Sequence, residues 1–553
     1  MSFVSTRLAI LASAALAVFL SAVFATPAAA SHSQVAIFED DLNLTVSPAS
    51  TFAQLRLLGV SQVRLAVRWQ QIAPDANSRK RPKNFNAADP AAYPAGAWSI
   101  WDQIVTYARD QGIQLNFDLM GGAPLWATGP GVPDHKPHLN WDPSPTEFGK
   151  FVRAVATRYN GAYNPTTDRI EPGNPADLPR VGFWSVWNEP DYGPSLAPQG
   201  RPGNLKIENS PRMYRNLVSA AVKSLQASGH GRDPVLIGEL APRGAENWGV
   251  FSGMKPVIFL RALYCVDSNY RPLRGGAAAL RGCPATAAGS RRFRADNPGL
   301  FRAAGVSVHP YMRWYPPNKE QFPDPNSTSL GEIGNLTRAL DRLQRVYGST
   351  RRYPIYSTEF GYITTPPKHD TKKFPWVNQN TAAYYLNWAE YLSWRNPRIS
   401  SFAQYLLYDP LPVRANTDFG GYASGLVTFG NHVRKATYAA WRLPLYLPVT
   451  TAPRGRRLEI WGCARPAHFA QDDTGYTQLV EIQFQRGSRG PFKTLRAVRV
   501  TDPHGYFDLR MSLPASGTVR LAWTFPASDE LLGYFDPLMV RTAYSRSVRV
   551  TLR

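Results

Sequence analysis

Histidine and cysteine are scarce in this chain of 553 residues, which has nine of the first and three of the second. The sequence has no H-E-x-x-H zinc pair, and its histidines are scattered without the spacing of metal ligands. The G-x-S-x-G turn of serine hydrolases and the phosphate-binding P-loop are missing as well. The sequence therefore predicts no metal and no nucleotide cofactor.

Three cysteines are too few for a disulfide-built scaffold, although they suit an oxidising compartment. Cys265 and Cys283 lie close together in sequence and could close a loop. Cys463 would then be left over, either buried or reactive. Since pairing cannot be read from a sequence, this arrangement is only an expectation.

Acidic residues are in deficit, with 40 Asp and Glu against 62 Lys and Arg and a net charge of +22. Nucleic acid is the first partner that such a charge suggests, but the basic residues are scattered rather than striped. An anionic wall or extracellular polymer suits the charge better, and a biased genome could also supply the excess of arginine. The charge alone does not decide between them.

Beyond the N-terminus, no apolar run is long enough to cross a bilayer. At the N-terminus, Arg7 precedes the apolar stretch "LAILASAALAVFLSAVFA" and the small-residue segment "PAAASHS". This pattern predicts a signal peptide over residues 1–30, cleaved after Ala30, and a mature protein that is secreted or associated with the cell wall. An uncleaved membrane anchor is the alternative. We expect a monomer with no nucleic-acid partner and no stable membrane insertion.

Residues 31–448 alternate short apolar runs with amphipathic segments, which predicts an α/β fold. The apolar runs are nearly continuous in hydrophobicity, as parallel strands covered on both faces should be. Eight of them are found: "QVAIFED", "QVRLAVRW", "IQLNFDLM", "VGFWSVWN", "PVLIGEL", "GVSVHPY", "PIYSTEFG" and "SFAQYLLYD". Eight strands alternating with helices predict a (β/α)8 barrel. An open doubly wound sheet is the competitor, but no glycine-rich dinucleotide turn follows the first strand.

Residues 449–553 show a different pattern, in which apolar and polar residues alternate between turn signals. Segments such as "RRLEIWGCARP", "TQLVEIQFQR" and "GTVRLAWTF" have this period of two. The pattern predicts a smaller antiparallel β domain, a sandwich.

Two glutamates follow strands of the predicted barrel. Glu189 comes after the fourth strand and Glu359 after the seventh. Catalytic groups of such barrels lie at the carboxyl ends of the strands, so these two side chains could face each other across the mouth. A pair of carboxylic acids is what acetal cleavage needs. Taken singly, Glu189 could instead be a solvated loop acid, and Glu359 a partner for a surface arginine.

The motifs "WNEP" and "TEFG" around these glutamates resemble the signatures of clan A glycoside hydrolases, which are retaining (β/α)8 enzymes, and families 5 and 39 in particular. The resemblance covers residues 34–447 and excludes the C-terminal β domain. It implies that Glu189 is the general acid/base and Glu359 the nucleophile.

Other positions of the clan match as well. The resemblance implies that Arg64 holds the nucleophile, that Asn188 binds the sugar's 2-hydroxyl, and that His309 and Tyr311 neighbour the nucleophile. The chain departs from the clan on strand eight, where Gln404, Tyr405 and Tyr408 stand in place of a tryptophan under the sugar. This departure leaves the sugar undefined.

Further side chains near strand ends have two possible roles. Trp126 could stack on a sugar face, as could Trp69 and Trp187, or each could pack in the core. Four acids could bind substrate hydroxyls or brace the site: Asp118, Asp191, Glu239 and Asp409.

Together these features predict a secreted retaining glycoside hydrolase that cleaves β-glycosidic bonds of a poly- or oligosaccharide. A non-catalytic carbohydrate-binding or wall-associated protein on the same fold is one alternative. A transglycosylase using the same residues is another. The sugar, the linkage, endo against exo action and the role of the β domain are not specified by the sequence.

Overall fold

The computed structural model describes residue 31 and the ranges 34–132, 139–246, 248–320, 323–368, 375–411, 422–526 and 542–553. The predicted signal peptide, residues 1–30, lies outside the described residues. Within the described ranges, no helix combines the length and the apolar character needed to cross a membrane.

The first and larger part of the chain is a closed barrel of eight parallel strands. Its strands are β1 (Val35–Glu39), β2 (Gln62–Arg68), β3 (Gln114–Met120), β4 (Trp184–Val186), β5 (Val235–Leu240), β6 (Gly305–Val308), β7 (Ile355–Ser357) and β8 (Ile399–Tyr405). Each strand pairs with its neighbours in sequence, and β1 pairs with β8 to close the barrel. Seven of the eight predicted segments contain one of these strands, and the eighth, which begins at Ser401, overlaps β8, so the predicted fold class is confirmed.

Helices cover the outside of the barrel. They are α1 (Asp41–Val46), α2 (Pro48–Leu57), α3 (Trp69–Ile72), α4 (Ser99–Asp110), α5 (Pro145–Arg158), α6 (Ser210–Ala227), α7 (Pro256–Leu263), α8 (Gly275–Ala279), α9 (Ala287–Asp296), α10 (Pro298–Arg302), α11 (Ile333–Val346), α12 (Gln379–Trp394) and α13 (Ala436–Arg442). The major helices are amphipathic and pack their apolar side chains against the strands, which places the main hydrophobic core between these two layers.

The sequence predicts a helix cap at Ser144, with Glu147 closing a capping box, and a second cap at Ser210, each followed by a proline. The two helix starts differ in detail from this prediction. At α5, the Ser144 hydroxyl accepts from the Glu147 amide at 3.3 Å, as expected. The Glu147 carboxylate does not return a bond to Ser144 but binds Arg81 and Lys150. At α6, the N-cap is Asn209, and the expected cap, Ser210, is the first helical residue.

The C-terminal part forms two β-sheets. The smaller sheet contains β9 (Leu445–Tyr446), β11 (Leu458–Cys463) and β14 (Tyr506–Met511). The larger one contains β10 (Thr451–Ala452), β12 (Leu479–Arg486), β13 (Lys493–Arg499), β15 (Gly517–Thr524), β16 (Thr542–Tyr544) and β17 (Val548–Leu552), and a short helix, α14 (Ala467–Thr474), joins β11 to β12. The pairing is antiparallel except between β10 and β17, which run parallel. The smaller sheet begins at Leu445, before the expected boundary at residue 448. The division into two domains stays a prediction.

A buried polar contact joins the barrel to the C-terminal sheets. Glu390 of α12 accepts from Arg465 at 2.6 Å and from the Tyr506 hydroxyl at 2.7 Å. The Arg465 and Glu390 side chains are 1% and 0% exposed. Around this contact, aromatic side chains from both parts form one small apolar cluster. The two parts therefore share buried surface.

The cysteines follow the expected arrangement. Cys265 and Cys283 form a disulfide, and Cys463 is a free thiol buried in the C-terminal part. The disulfide closes the loop between α7 and α9, on the helical layer of the barrel.

Candidate active site

The segment Trp187–Asp191 leaves β4 in an unusual conformation that several contacts hold in place. Trp187 and Glu189 have φ values of 64° and 41°, in the left-handed region that side-chain-bearing residues rarely adopt. The Trp187 amide donates to the carbonyl of Leu119, and the Glu189 amide donates to the carbonyl of Glu239, both at 2.9 Å. The Asp191 carboxylate accepts from the Ala241 amide at 3.0 Å. Such strain costs about 1–3 kcal/mol per residue and persists where the surroundings over-determine it. The position of the Glu189 carboxyl is therefore fixed by its backbone.

Arg64, from the middle of β2, is the centre of a buried polar cluster in the barrel. Its guanidinium donates to Glu359 at 2.9 Å, to Asp118 at 2.8 Å and to Glu39 at the end of β1. Its Nε lies 3.2 Å from the Glu239 carboxylate. Four acids from the odd-numbered strands, or from directly after them, thus meet one arginine that is 1% exposed.

His309, directly after β6, joins three carboxylates. Its Nδ1 lies 3.0 Å from Glu189 and 3.4 Å from Glu359, and its Nε2 lies 3.0 Å from Glu239. One oxygen of Glu189, one oxygen of Glu359 and one ring nitrogen of His309 all lie within 4.8 Å of one another. The carboxylates of the two predicted catalytic glutamates therefore face each other at short range.

Two more predicted residues contact this cluster. The Tyr311 hydroxyl donates to Glu359 Oε2 at 3.0 Å, while Arg64 occupies Oε1. Asn188 Oδ1 accepts from Arg64 at 2.7 Å. Because an arginine only donates, this bond fixes the orientation of the amide and leaves the Asn188 NH2 group as a donor.

Burial and charge act against each other in this cluster. Burial disfavours an imidazolium, but the carboxylates of Glu359, Glu189 and Glu239 outweigh it and raise the pKa of His309 well above its usual value. Burial also opposes the ionisation of Glu239, yet Arg64 and His309 lower the pKa of that carboxyl to about 2. The cluster therefore holds at least one ion pair, between Glu239 and the two cations.

Three other acids of the cluster have a raised pKa. Burial raises the pKa of Asp118 to about 7, against the attraction of Arg64. Burial raises the pKa of Glu39 well above its usual value and raises that of Glu359 too, although His309 and Arg64 oppose the rise for Glu359. Two cations cannot neutralise five neighbouring carboxylates, so repulsion between the acids adds to burial in raising the pKa of Glu39, Asp118 and Glu359.

An open cleft lies above the cluster and has two lobes. The larger lobe has a volume of about 750 Å³ and lies on the side of β1 and β5–β8. The smaller lobe has a volume of about 350 Å³ and lies on the side of β2–β4. Five side chains line both lobes: Glu39, Arg68, Glu189, Glu359 and Tyr405. The two glutamates thus stand where the lobes meet, with room for a ligand on either side.

Six of the seven predicted site residues come together here: Arg64, Asn188, Glu189, His309, Tyr311 and Glu359. Trp126 does not join them. Its Nε1 donates to the Pro74 carbonyl at 3.0 Å, and its ring packs edge-on against Trp69 and Phe85. It is absent from the described residues that line either lobe. Core packing fixes this indole.

The other side chains considered from the sequence have distinct places. Glu239 and Asp118 brace the cluster through Arg64, and Asp409 lines the larger lobe but binds Lys435 at 2.8 Å. On β8 and after it, Tyr405 lines the cleft, whereas Gln404 is buried and donates to the Ser424 carbonyl. Tyr405 thus lines the cleft at the strand where the sequence lacks the expected tryptophan.

Sequence reasoning missed Glu39 and Arg243. Glu39 is the last residue of β1, and the position of an acid at a strand end was the signal that could have found it. Arg243 lies in the loop after β5 and lines the larger lobe. Nothing in its local sequence distinguishes it from the many other arginines.

Glu189, His309 and Glu359 are close enough to offer one ligand atom each to a metal ion. Both nitrogens of His309, however, lie 3.0 Å from carboxylates, and those carboxylates favour the doubly protonated ring. A protonated imidazole has no lone pair for a metal. The group fits a hydrogen-bonded set of ionisable side chains rather than a metal site.

Comparison with known proteins gives structural matches only. No protein-family model and no curated protein sequence matches the chain. Among solved structures, a family 39 glycoside hydrolase from Bacteroides cellulosilyticus WH2 is 13% identical, with a TM-score of 0.43 over 87% of this chain and 80% of that one. The GH39 enzyme from Xanthomonas axonopodis pv. citri is 13% identical, with a TM-score of 0.45 over 88% and 93%. An endo-beta-1,4-mannanase from Thermotoga petrophila is 9% identical, with a TM-score of 0.38 over 94% and 98%. At these identities and scores the matches assign no activity, so the functional argument rests on the site.

Proposed function

We propose that the chain is a retaining glycoside hydrolase that cleaves β-glycosidic bonds of a poly- or oligosaccharide. The observation that carries the proposal is the short distance between the two carboxylates, which bring one oxygen each within 4.8 Å. Retaining enzymes hold their carboxyl groups about 5–5.5 Å apart, whereas inverting enzymes leave about 6.5–9.5 Å for a water molecule. The approach of these two oxygens is shorter than the room that an inverting pair leaves for a water molecule, which supports direct attack by a carboxylate.

In the first step, Glu359 attacks the anomeric carbon and Glu189 protonates the glycosidic oxygen. The C–O bond to the leaving sugar breaks, and a glycosyl ester forms on Glu359. Arg64 and Tyr311 supply one donor to each oxygen of Glu359. These donors stabilise the carboxylate before attack and again when the ester breaks.

In the second step, Glu189 removes a proton from a water molecule that attacks the anomeric carbon and releases Glu359. The sugar leaves with its original β configuration. His309 bonds Glu189 at 3.0 Å and lies 3.4 Å from Glu359. Its charge therefore acts on both glutamates at once. The free NH2 group of Asn188 lies in the lining of the smaller lobe, where it can donate to a hydroxyl of the sugar.

The deciding experiment follows the anomeric proton of the product by NMR during hydrolysis of β-linked glycans and aryl β-glycosides. We expect the β anomer to appear first and the α anomer to grow in only by mutarotation. The α anomer appearing first would rule out the two-step mechanism. No cleavage of any plant, fungal or bacterial wall glycan would favour the non-catalytic binding protein instead.

The proposal includes export and action outside the cell, which the N-terminal sequence pattern supports. N-terminal sequencing of the protein from culture medium should give a chain that begins at Ser31. A protein that keeps Met1 and fractionates with membranes would indicate an uncleaved anchor.

A further inference from the structure

Two arginines line the larger lobe of the cleft. Arg243 lies in the loop after β5, and Arg313 lies in the loop after β6. Among the described residues, the Nη1 atom of Arg243 is buried without a hydrogen-bond partner, and no carboxylate pairs with its guanidinium. A buried donor on a charged group is costly to leave without an acceptor. Arg243 is therefore placed as a binding group rather than as a structural one.

The acids of the same lobe are already partnered. Asp41 binds Arg68 at 3.0 Å, Asp409 binds Lys435, and Asp40 accepts from the amide of Leu407 at 2.9 Å. The other three, Glu39, Glu189 and Glu359, belong to the cluster around Arg64 and His309. None of them closes an ion pair with Arg243 in the described part of the chain, so this positive charge faces the open lobe.

Arg313 adds a second positive charge on the same side. Its guanidinium lies 5.5 Å from the centre of the Trp314 ring. Burial, together with the positive charge of Arg313, lowers the pKa of Arg243 to about 10, so Arg243 remains charged at neutral pH. An anion bound in this lobe beside both guanidinium groups would be attracted by each of them.

We propose that the larger lobe binds a negatively charged substituent of the glycan, a carboxylate or a sulfate ester, through Arg243 and Arg313. This inference rests on the proposed glycosidase function and names its substrate class: an acidic glycan. The planar guanidinium of an arginine can donate two parallel hydrogen bonds to either oxyanion. Two such groups would orient the bound substituent as well as attract it. The net charge of +22 would add long-range attraction for an anionic polymer.

The test uses the full-length protein and two matched pairs of glycans. One pair is a glucuronic-acid-bearing glycan before and after carboxyl reduction, and the other is a sulfated glycan before and after desulfation. Binding and reducing-end release are measured on all four. We expect the charged form of one pair to be preferred about tenfold or more, which identifies the oxyanion.

The variants are Arg243→Gln and Arg313→Gln, with Arg232→Gln as the matched control. Arg232 is an exposed arginine just before β5, at the opposite end of the strand that precedes Arg243. Each cleft variant should reduce the preference for the charged glycan about tenfold and leave binding of the neutral form within twofold. The control should change neither, and thermal unfolding shows whether each variant is folded.

The outcomes separate the two proposals. The inference is overturned if the protein binds and cleaves the charged and neutral forms of both pairs equally. It is also overturned if the arginine variants lose binding equally on both forms, even if glycans are cleaved. An arginine-dependent preference in binding without cleavage of any glycan supports the inference and overturns the hydrolase function.

Discussion

His309 Nε2 lies 3.0 Å from the carboxylate of Glu239, a side chain that is fully buried and does not reach the cleft. The other nitrogen of the same ring bonds Glu189 at 3.0 Å. The Thr358 hydroxyl donates to Glu239 at 2.6 Å, one residue before the proposed nucleophile. Glu239 thus acts on both proposed catalytic groups through their neighbours, as a positioning residue.

Glu239→Gln should lower turnover and change its pH dependence. The raised pKa of His309 depends in part on Glu239, so the variant should lower that pKa and lose the imidazolium at a lower pH. The alkaline limb of kcat/KM against pH should therefore move to lower pH. Glu246→Gln is the control, because Glu246 follows the same strand and its side chain is 80% exposed. An unchanged pH profile with reduced stability would indicate a purely structural role.

The proposed roles of the two glutamates make their variants distinguishable. Glu359→Ala should abolish turnover because no other group forms the glycosyl ester. Glu189→Ala should lose about 10²–10⁴-fold on substrates with poor leaving groups, where proton transfer matters most. Activated aryl glycosides should still react in the first step, and added azide should restore turnover with a β-configured glycosyl azide. Activity of both variants on a natural glycan would show that the site is misassigned.

Asp118→Asn should change how stability depends on pH. The pKa of this carboxyl rises from 3.8 to about 7 on folding, because burial favours its neutral form. The native state therefore binds more protons than the unfolded state between these values, and this group's contribution to the free energy of unfolding falls as pH rises from about 4 to 7. The side-chain amide in Asp118→Asn does not ionise, so the variant does not lose this stability as pH rises. Melting temperatures of the two proteins should be similar near pH 4 and diverge in favour of the variant towards pH 7. A constant difference across this range would contradict the assignment.

Glu390→Ala should destabilise the whole chain. Removing this carboxylate leaves Arg465, which is 1% exposed, without its buried partner. Breaking a buried ion pair in this way costs about 3–5 kcal/mol. Asp110→Ala is the control, since Asp110 pairs with Arg109 at the surface and should cost no more than about 0.5 kcal/mol. Denaturant unfolding measures the free energy of unfolding of both variants. If the unfolding midpoint of the barrel is unchanged in Glu390→Ala, the two parts of the chain unfold independently.

The eight barrel strands could be predicted because parallel strands buried on both faces are continuously apolar, a pattern that survives without tertiary information. The positions of Glu189 and Glu359 followed from the strands, since the fold brings strand ends to one face. The family resemblance supplied the neighbours Arg64, Asn188, His309 and Tyr311, which periodicity alone does not distinguish.

What the sequence could not supply depends on contacts between distant segments. An indole near a strand end is equally suited to a core and to a sugar, and only its contacts with Trp69 and Phe85 show that the partly buried Trp126 packs against the core. Arg243 is distinguished by the lack of a partner carboxylate among the described residues, which no local sequence pattern records. At α6, the Ser210 hydroxyl donates to Gln199 Oε1 instead of capping the helix, because the loop that carries Gln199, eleven residues earlier, packs against the start of the helix.

Arg64 occupies the position that a branched aliphatic side chain fills in many barrels, where alternate strands contribute one interior layer. Here acids from or just after the odd-numbered strands β1, β3, β5 and β7 surround the guanidinium of Arg64, which comes from the even-numbered strand β2. The groups that close the barrel at this end are therefore the same groups that set the protonation of the cleft. Changing this arginine would therefore remove a cationic partner from carboxylates of four strands at once and alter both the interior of the barrel and the charge at the cleft.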